Sequence, residues 1–464
     1  MRRYRQLYRI EKDTLGEVKV PINAYYGAQT QRAVENFPVS GMRLNRRFIR
    51  AQGIIKFAAA MANTSIGLID KRIGNAIMKA AEEVIKGKWD EQFVVDVFQA
   101  GAGTSQNMNA NEVIANRASE SLGLKKGDYS LVHPNNHVNM AQSTNDTIHA
   151  AIHIASIEAV DDRLLPYMLL LERALKKKAR EFNGVVKIGR THLQDAVPIR
   201  MGQEFSGYAE MVTKGIDRLR RARASVLEIG IGGTAVGTGL NAHPGFQGIA
   251  IKAINRITGK RFRRPGNIFE FMQNTDGVLE LSSVLRGIAV SLTKIANDMR
   301  LLSSGPRAGL GEIMLPPMQP GSSIMPGKIN PVLAEMLNMV CYQVIGNDQA
   351  VMMACQAAQL ELNVMMPVIA HNILQSIDIL SEGIKAFTEK CIVGIKVNKE
   401  RCKSLSDDST ALATALNPRI GYYEAAEIAK EAYIKGKTVK DIVIEKGIMT
   451  EKEAQKILDP RRLT

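Results

Sequence analysis

The most informative segment of the sequence reads Gly321-Ser322-Ser323-Ile324-Met325-Pro326-Gly327-Lys328-Ile329-Asn330-Pro331. Its glycines and prolines exclude a regular helix or a central strand, so we predict a loop. The loop carries adjacent hydroxyl groups, a cation and an amide, which are groups that bind anions or move protons. Asn330 is placed to cap a following helix that has Pro331 in its first turn. Apolar residues then recur at helical spacing, at Leu333, Met336, Leu337, Val340 and Val344.

Composition alone leaves two interpretations of this loop open, an ordinary solvated connection or a polar loop that carries out chemistry. Other segments are also rich in hydroxyl, amide, His and Lys groups, namely Gly101–Asn109, His133–Asp146 and Gly189–Asp195. If all of them converge, they form a pocket of neutral donors with few carboxylates, which suits a dianion whose charge grows during a reaction. The alternative is that each segment only caps its neighbouring helix. Convergence is the better explanation for so many.

Length and composition indicate a globular protein with more than one domain. The chain has 464 residues, 45% hydrophobic and 23% charged, which is too long for one core and too apolar for disorder. The most apolar run, Gly277–Leu292, contains Glu280 and Arg286, so no transmembrane helix is expected. The basic start, Met1–Arg5, is not followed by the apolar core of a signal peptide, and we expect a cytoplasmic protein.

Charge and cysteine content exclude several classes of partner. The formal net charge is +15, but aromatic residues are only 5% and the basic residues are dispersed, so we predict no nucleic-acid partner. A positive field would instead attract a small anionic substrate. The cysteines lack CxxC spacing, which argues against a disulfide framework and a structural zinc site and predicts buried thiols at Cys341, Cys355, Cys391 and Cys402.

Two further motifs have a functional and a structural interpretation. His133 and His137 have the spacing of a metal pair, but Pro134 lies between them and no third ligand is evident, so we expect no metal. Residues 230–235, Gly-Ile-Gly-Gly-Thr-Ala, fit a variant of the dinucleotide-binding fingerprint, but a helical pattern rather than a strand precedes them. We therefore predict a helix terminator and a tight turn there.

Hydrophobic periodicity divides the chain into parts. Long helical patterns cover residues 147–182 with a kink at Pro166, residues 198–229, residues 276–302, and residues 331–395 with interruptions at Gly346 and Pro367. Helices this long and apolar are typical of a bundle. We predict a mainly α protein with an N-terminal mixed, mostly helical domain (1–142), a central helical bundle that carries the 321–331 loop (143–396), and a small C-terminal helical domain (397–464) marked by capping boxes at Thr438–Asp441 and Thr450–Glu453.

The segment 321–331 resembles the GSSxMPxKxN signature of the fumarase/aspartase superfamily. Further family motifs follow in the family's order: Gly103-Thr104-Ser105 with Asn107-Met108-Asn109, His137-Val138-Asn139 with Gln142-Ser143-Thr144-Asn145-Asp146, Gly189-Arg190-Thr191-His192-Leu193-Gln194-Asp195, and Ser304-Gly305-Pro306-Arg307. The resemblance covers nearly the whole chain. It implies a three-domain fold with a central bundle of long helices, and homotetramers in which three subunits build each active site.

The resemblance also implies a reaction on a dicarboxylate. A proton leaves the carbon next to one carboxylate, the carbanion forms as an aci-carboxylate with two negative charges, and a group then leaves the neighbouring carbon to give fumarate. The implied catalytic residues are Ser322 as general base, assisted by Lys328 and loop N–H groups, and His192. The aci-carboxylate would be held by Thr104, Ser143, Thr144 and Ser323. The other carboxylate would be held by Thr191, Lys328 and Asn330. The leaving group would face Asn145 and His192. No cofactor is expected.

The motifs also bear on the leaving group. Gly101–Asn109, the run Gln142–Asp146 and Lys126–Tyr129 are similar to the aspartase branch, which releases ammonia from L-aspartate. Residues 27–32 and 232–237 are closer to the fumarase branch, which releases water from L-malate. Met366 departs from the Glu that many aspartases have before this Pro. We expect the ammonia-lyase reaction, with the hydro-lyase reaction as the alternative. A noncatalytic relative, such as some lens crystallins, is disfavoured by the intact motif residues.

Overall fold

The computed structural model describes residues 7–464, and the basic segment Met1–Arg5 lies outside the described residues. The helices are α1 (Ala28–Asn36), α2 (Arg46–Ile66), α3 (Lys71–Ile85), α4 (Thr104–Ser121), α5 (Thr144–Ala159), α6 (Leu165–Glu181), α7 (Met201–Ser225), α8 (Phe246–Thr258), α9 (Ile268–Gln273), α10 (Asp276–Leu302), α11 (Val332–Gln356), α12 (Met366–Lys390), α13 (Lys399–Asp407), α14 (Asn417–Ile420), α15 (Tyr422–Lys435), α16 (Val439–Glu445) and α17 (Glu451–Ile457). The strands form antiparallel pairs, β1 (Tyr8–Asp13) with β2 (Gly16–Pro21), β3 (Val186–Thr191) with β4 (Gln194–Arg200), and β5 (Ile313–Met314) with β6 (Lys396–Val397). The prediction of a mainly α protein is confirmed.

The chain forms two compact units. Of the described residues, unit one contains 7–166, 217–287 and 342–380, and unit two contains 167–216, 288–341 and 381–464. The division into domains at residues 142 and 396 stays a prediction.

The core of unit one is built around α2. This helix packs against α3, α5 and α8, and its alanines Ala58, Ala59, Ala60 and Ala62 are almost fully buried. Small side chains let helices approach closely, and at Gly53 a Cβ atom would lie 3.0 Å from Ile85 Cγ1 of α3. A helix buried on several sides places its few polar side chains in the interior, where each of them needs a partner.

Two predicted helix boundaries are corrected. The helix expected from residue 198 begins at Met201, because Pro198 lies in β4. The pattern over residues 331–395 is two helices, and Gly346 lies inside α11 rather than at the break. The break follows residue 356, where the buried Asn363 side chain donates to the carbonyls of Ala354 and Cys355 and accepts the N–H of Met365. One amide thus satisfies groups at both helix ends.

Other local predictions are confirmed. The helix over residues 276–302 has the expected limits, and both C-terminal capping boxes form, at Thr438 with Asp441 and at Thr450 with Glu453. The kink expected at Pro166 corresponds to a π-helical turn, Val160–Leu164, directly before it. Proline has no N–H, so the carbonyl one turn earlier loses its α-helical partner.

The predicted thiol chemistry is largely confirmed. All four cysteines are free, and Cys341, Cys391 and Cys402 are buried, whereas Cys355 is partly exposed. Within residues 7–464, no helix is long and apolar enough to cross a membrane.

Two histidines of α5 are buried without full hydrogen bonding. His149 stacks on Phe271 with 4.2 Å between ring centroids, and His153 packs edge-on against the same ring. Among the described residues, both ring nitrogens of His149 and Nε2 of His153 have no hydrogen-bond partner. Burial lowers the pKa of His149 well below its usual range and that of His153 to about 4. The interior therefore holds both rings neutral.

These histidines predict an acid-sensitive fold. The folded-state pKa values lie below the unfolded value of about 6.5, so their contribution to stability is present above that pH and is lost as the pH falls towards 4. Each ring contributes a slope of up to about 1.4 kcal/mol per pH unit. His149→Phe should unfold at an equal or higher urea midpoint at neutral pH and show a shallower loss between pH 6.5 and 4. The exposed His243→Asn variant serves as the control, and a wild-type slope in His149→Phe would contradict the assignment.

Candidate active site

The first polar segment forms the start of α4 in unit one. Residues Gly101–Gly103 make a 3-10 turn in which Ala102 has a φ of 58°, and the Ala102 N–H donates to the carbonyl of Val364 at 2.7 Å. This contact fixes the turn that presents Thr104, an exposed residue at the first position of α4. Asn107, one turn further on, points into the interior and is buried.

The second polar segment forms the N-terminus of α5. Ser143 is the N-cap, and its Oγ accepts the N–H of Asn145 at 3.2 Å. The Asn145 side chain donates to the carbonyl of Ala235 at 2.8 Å, and Thr144 Oγ1 accepts from Asn107 Nδ2 at 3.2 Å. Ser143, Thr144 and Asn145 are all partly exposed. The structure therefore brings the first two segments together around the first turn of α5.

Asp146 anchors that turn from the inside. It is fully buried, and its carboxylate accepts the N–H groups of Ser143, Gly232 and Thr234 at 2.9–3.0 Å. Burial raises the pKa of Asp146 to about 7, and the three backbone donors and Lys56 oppose that shift. The turn at residues 230–235 thus positions α5, in agreement with the predicted tight turn, and its carbonyl at Ala235 holds Asn145.

The two histidines with metal-pair spacing take part in local capping. His133 Nδ1 accepts the N–H groups of Asn135 and Asn136, and His137 Nδ1 accepts the N–H of His133 at 2.9 Å. Partial burial lowers the pKa of both rings. Within residues 7–464, no group of three His, Cys, Asp or Glu side chains is placed to hold a metal ion.

The third polar segment is a β-hairpin rather than the loop that the composition suggested. Strands β3 and β4 pair Thr191 with Gln194, and His192 and Leu193 form the turn with φ values of 54° and 59°. Left-handed φ values at both central residues are typical of the type I′ turn that two-residue β-hairpins favour, although Asn or Gly is more usual at these positions. The turn holds the side chains of Thr191 and His192 exposed in unit two.

A buried ion network lies at the base of this hairpin. Glu312 is fully buried, and its carboxylate is 3.1 Å from Lys187 Nζ and 3.0 Å from Arg190 Nη1. Lys187 is also buried and contacts Glu204 at 2.9 Å. Because a buried charge is tolerated only when it is paired, this network fixes β3 to residue 312.

The loop 321–331 closes on itself in unit two. The N–H of Gly321 donates to the carbonyl of Lys328 at 2.8 Å, and the Asn330 side chain donates to the carbonyl of Gly321 at 2.7 Å. Asn330 therefore closes the loop instead of capping the helix, and α11 begins at Val332. Ser322 Oγ accepts the N–H groups of Ile324 and Met325 at 3.2 and 3.0 Å.

The predicted site residues are thus distributed over two units. Ser143, Thr144 and Asn145 share the first turn of α5 in unit one, with Thr104 presented by the adjoining turn. Unit two holds the others, Thr191, His192, Ser322, Ser323, Lys328 and Asn330. Among the described residues, no hydrogen bond joins the hairpin turn to the loop 321–331, and Ser323 and Lys328 are exposed.

Comparisons with known proteins agree with this set of motifs. A lyase family model matches residues 16–346, and a fumarase C C-terminus model matches residues 412–464. The chain is 50% identical to an aspartate ammonia-lyase from a Bacillus species and 54% identical to a class II fumarate hydratase from Halobacterium salinarum, in each case over 98% of this chain and 97% of the relative. The chain belongs to the fumarase/aspartase superfamily.

A solved member of the fumarase/aspartase superfamily has the same fold. A fumarate lyase:delta crystallin from Brucella melitensis superposes with a TM-score of 0.94 at 48% identity, over 98% of this chain and 99% of that chain. The resemblance inferred from the motifs is therefore confirmed, and the chain is a lyase of this superfamily. Both ammonia-lyases and hydratases occur among its relatives.

Sequence reasoning missed the residues that support the site from behind. Asp146 was recognised only as part of a motif, and Lys56 and Glu312 were not singled out. Lys56 lies in the middle of α2 and is buried, and Glu312 follows a Gly-rich stretch without a local pattern. The available signal for Lys56 was its position as a single cation next to the alanines of a helical pattern. Such a residue needs a hydrogen-bond partner when the helix is buried.

We predict that the Glu312 network holds the hairpin. Glu312→Gln removes the carboxylate that Arg190 contacts and leaves Lys187 with Glu204 alone. Loss of one member of a buried ion network costs about 3–5 kcal/mol. Urea unfolding followed by circular dichroism should show that loss. The control is Glu427→Gln, which removes an exposed ion pair with Lys430 in the same unit and should change the midpoint little. Equal midpoints for the two variants would refute the structural role of Glu312.

Proposed function

We propose that this lyase is an aspartate ammonia-lyase, which eliminates ammonia from L-aspartate to give fumarate. The observation that carries the proposal is the first turn of α5, where the run Gln142–Asp146 has the aspartase-like sequence with Thr at position 144. The relatives in Bacillus and Bacillus subtilis that bear this activity's name are 50% and 49% identical over 98% of this chain.

The geometry of Ser322 supports a role as the general base. A serine hydroxyl gives up its proton only where the resulting oxyanion is stabilised. Two backbone N–H groups of the loop already donate to Ser322 Oγ, and such donors favour the negatively charged form. Lys328 lies on the same closed loop and supplies a positive charge. The loop is thus arranged to favour proton removal from the substrate.

The remaining groups suit the charge that then develops. In the proposed mechanism, Thr104, Ser143, Thr144 and Ser323 donate to the carboxylate that becomes the aci form. Thr191, Lys328 and Asn330 bind the second carboxylate. Asn145 and His192 face the departing ammonia. Neutral donors around a growing dianion stabilise it without the cost of burying a fixed counter-charge.

Assembly and location complete the proposal. The sequence predicts a homotetramer whose subunits share active sites, and α11 leaves Met339, Tyr342 and Met353 between 55% and 64% exposed. Apolar side chains exposed along one helix favour a further protein surface as partner. A homotetramer would also allow polar segments from different subunits to meet. A cytoplasmic location and the absence of a cofactor remain predictions.

The second candidate is fumarate hydratase, which releases water from L-malate. It is favoured by the 54% identity to the Halobacterium salinarum enzyme. Residues 27–32 and 232–237 also resemble the fumarase branch, and Met366 departs from the Glu that many aspartases have at this position. Since both reactions pass through a carbanion of the same kind, the leaving group on the neighbouring carbon distinguishes them.

A direct assay decides between the two functions. The purified protein is given L-aspartate or L-malate, and fumarate formation is followed by ultraviolet absorbance. We expect turnover of L-aspartate, and a rate about 10²–10⁴-fold lower for Ser322→Ala because the general base is absent. Ser303→Ala, whose hydroxyl contacts only helix carbonyls of Met299 and Arg300, is the control. Turnover of L-malate alone would show that the protein is a fumarate hydratase. Turnover of neither L-aspartate nor L-malate would refute both proposed functions.

A further inference from the structure

Lys56 lies at the centre of a buried network of amide side chains behind the first turn of α5. Its Nζ atom donates to Asn107 Oδ1 at 2.9 Å, to Asn139 Oδ1 at 3.0 Å and to Gln142 Oε1 at 3.0 Å. Only 1% of Lys56 is exposed. All three donor positions of the ammonium are therefore used, and its partners come from two separate segments of unit one.

Three oxygen acceptors at 2.9–3.0 Å from Nζ favour the ammonium form of Lys56 against the burial that lowers its pKa to about 7. An ammonium group can only donate, so it determines which way each amide faces. The oxygen atoms of Asn107, Asn139 and Gln142 must turn towards Nζ, and their NH₂ groups must point elsewhere. Gln142 Nε2 donates to the carbonyls of Val138 and Met140. Asn107 Nδ2 donates to Asn139 Oδ1 at 3.1 Å and to Thr144 Oγ1 at 3.2 Å.

The last of these contacts determines how Thr144 can bind a ligand. A hydroxyl group has one proton to donate and lone pairs that accept. Because Asn107 donates to Thr144 Oγ1 from the interior, the hydroxyl accepts on that side and its proton is free to point outwards. Were Asn107 reversed, its oxygen would take the hydroxyl proton, and Thr144 would present only lone pairs to an anion.

We propose that Lys56, acting through Asn107, is a positioning residue that keeps Thr144 a hydrogen-bond donor to the substrate carboxylate. This inference rests on the proposed function, in which Thr144 binds the carboxylate that becomes the aci form. Since the negative charge on that carboxylate grows during the reaction, a lost donor lowers kcat more than it raises KM.

A double-mutant cycle tests the proposal. Asn107→Asp keeps the shape of the side chain and its contact with Lys56 but replaces the donor by an acceptor, and Thr144→Val removes the hydroxyl. Each single variant should lower kcat about 10–100-fold. In the Thr144→Val background, Asn107→Asp should change kcat by less than about 3-fold, because the group it acts through is already absent. Fully additive losses would overturn the proposal.

Lys56→Met supplies a second arm, with Lys178→Met as the matched control. Lys178 is also buried, but its ammonium group donates to the carbonyl of Ile395 and to Glu181 in unit two. The Lys178→Met variant should therefore keep a ratio of kcat to KM near that of the wild type. Lys56→Met should lower kcat in the wild-type but not in the Thr144→Val background. If Lys56→Met does not fold, the cycle of Asn107→Asp and Thr144→Val alone tests the positioning role.

The cycle separates this inference from the proposed function. It is measured on whichever of L-aspartate and L-malate the wild type converts, so additive losses in an active enzyme contradict the positioning role alone. If the wild type converts neither, the proposed function fails, and the same cycle is measured as binding of succinate, a dicarboxylate with no leaving group. If the two substitutions then reduce succinate affinity additively, or if succinate does not bind, the positioning role of Lys56 and Asn107 is overturned as well.

Discussion

A carboxylate removed from water must be surrounded by donors, and in this protein that constraint is met at Asp146. Its oxygen atoms accept three backbone N–H groups, one from its own capping box and two from the turn after residue 230. The start of α5 is thereby tied to a segment distant in sequence. The same turn supplies the carbonyl that holds Asn145. The position of Ser143, Thr144 and Asn145 therefore depends on one buried side chain.

Each unit has a buried charged residue beneath its polar segments. Lys56 binds amide oxygens behind α5, and Glu312 binds Lys187 and Arg190 behind the hairpin. In each unit a buried charged group has its hydrogen bonds satisfied, by amide oxygens at Lys56 and by cations at Glu312, while the neutral hydroxyl groups face outwards. A surface of neutral donors held by buried charges can stabilise a developing dianion without rearranging during the reaction. Such preorganisation is what elimination through a carbanion requires, whichever group departs.

Local rules predicted much of the fold and little of its long-range connections. The limits of α10 and both C-terminal capping boxes follow from periodicity and capping residues. The polar segments were located for the same reason, since glycine and proline interrupt periodicity. By contrast, Lys56 meets amides 51, 83 and 86 residues away. No local pattern encodes such partners. The break between α11 and α12, in contrast, lies directly before the interruption predicted at Pro367.

We propose that the polar groups are complementary to a carbanion with two negative charges on one carboxylate. The most direct measurement compares inhibition by succinate with inhibition by the nitronate dianion of 3-nitropropionate, whose planar NO₂ group has the shape of the aci-carboxylate and likewise carries negative charge on both oxygen atoms. Groups arranged for the transition state bind its analogue at least about 10²-fold more tightly than a substrate-like ligand. We predict that preference for the nitronate in the wild-type enzyme. Equal inhibition constants for the two compounds would contradict the proposed complementarity to the carbanion.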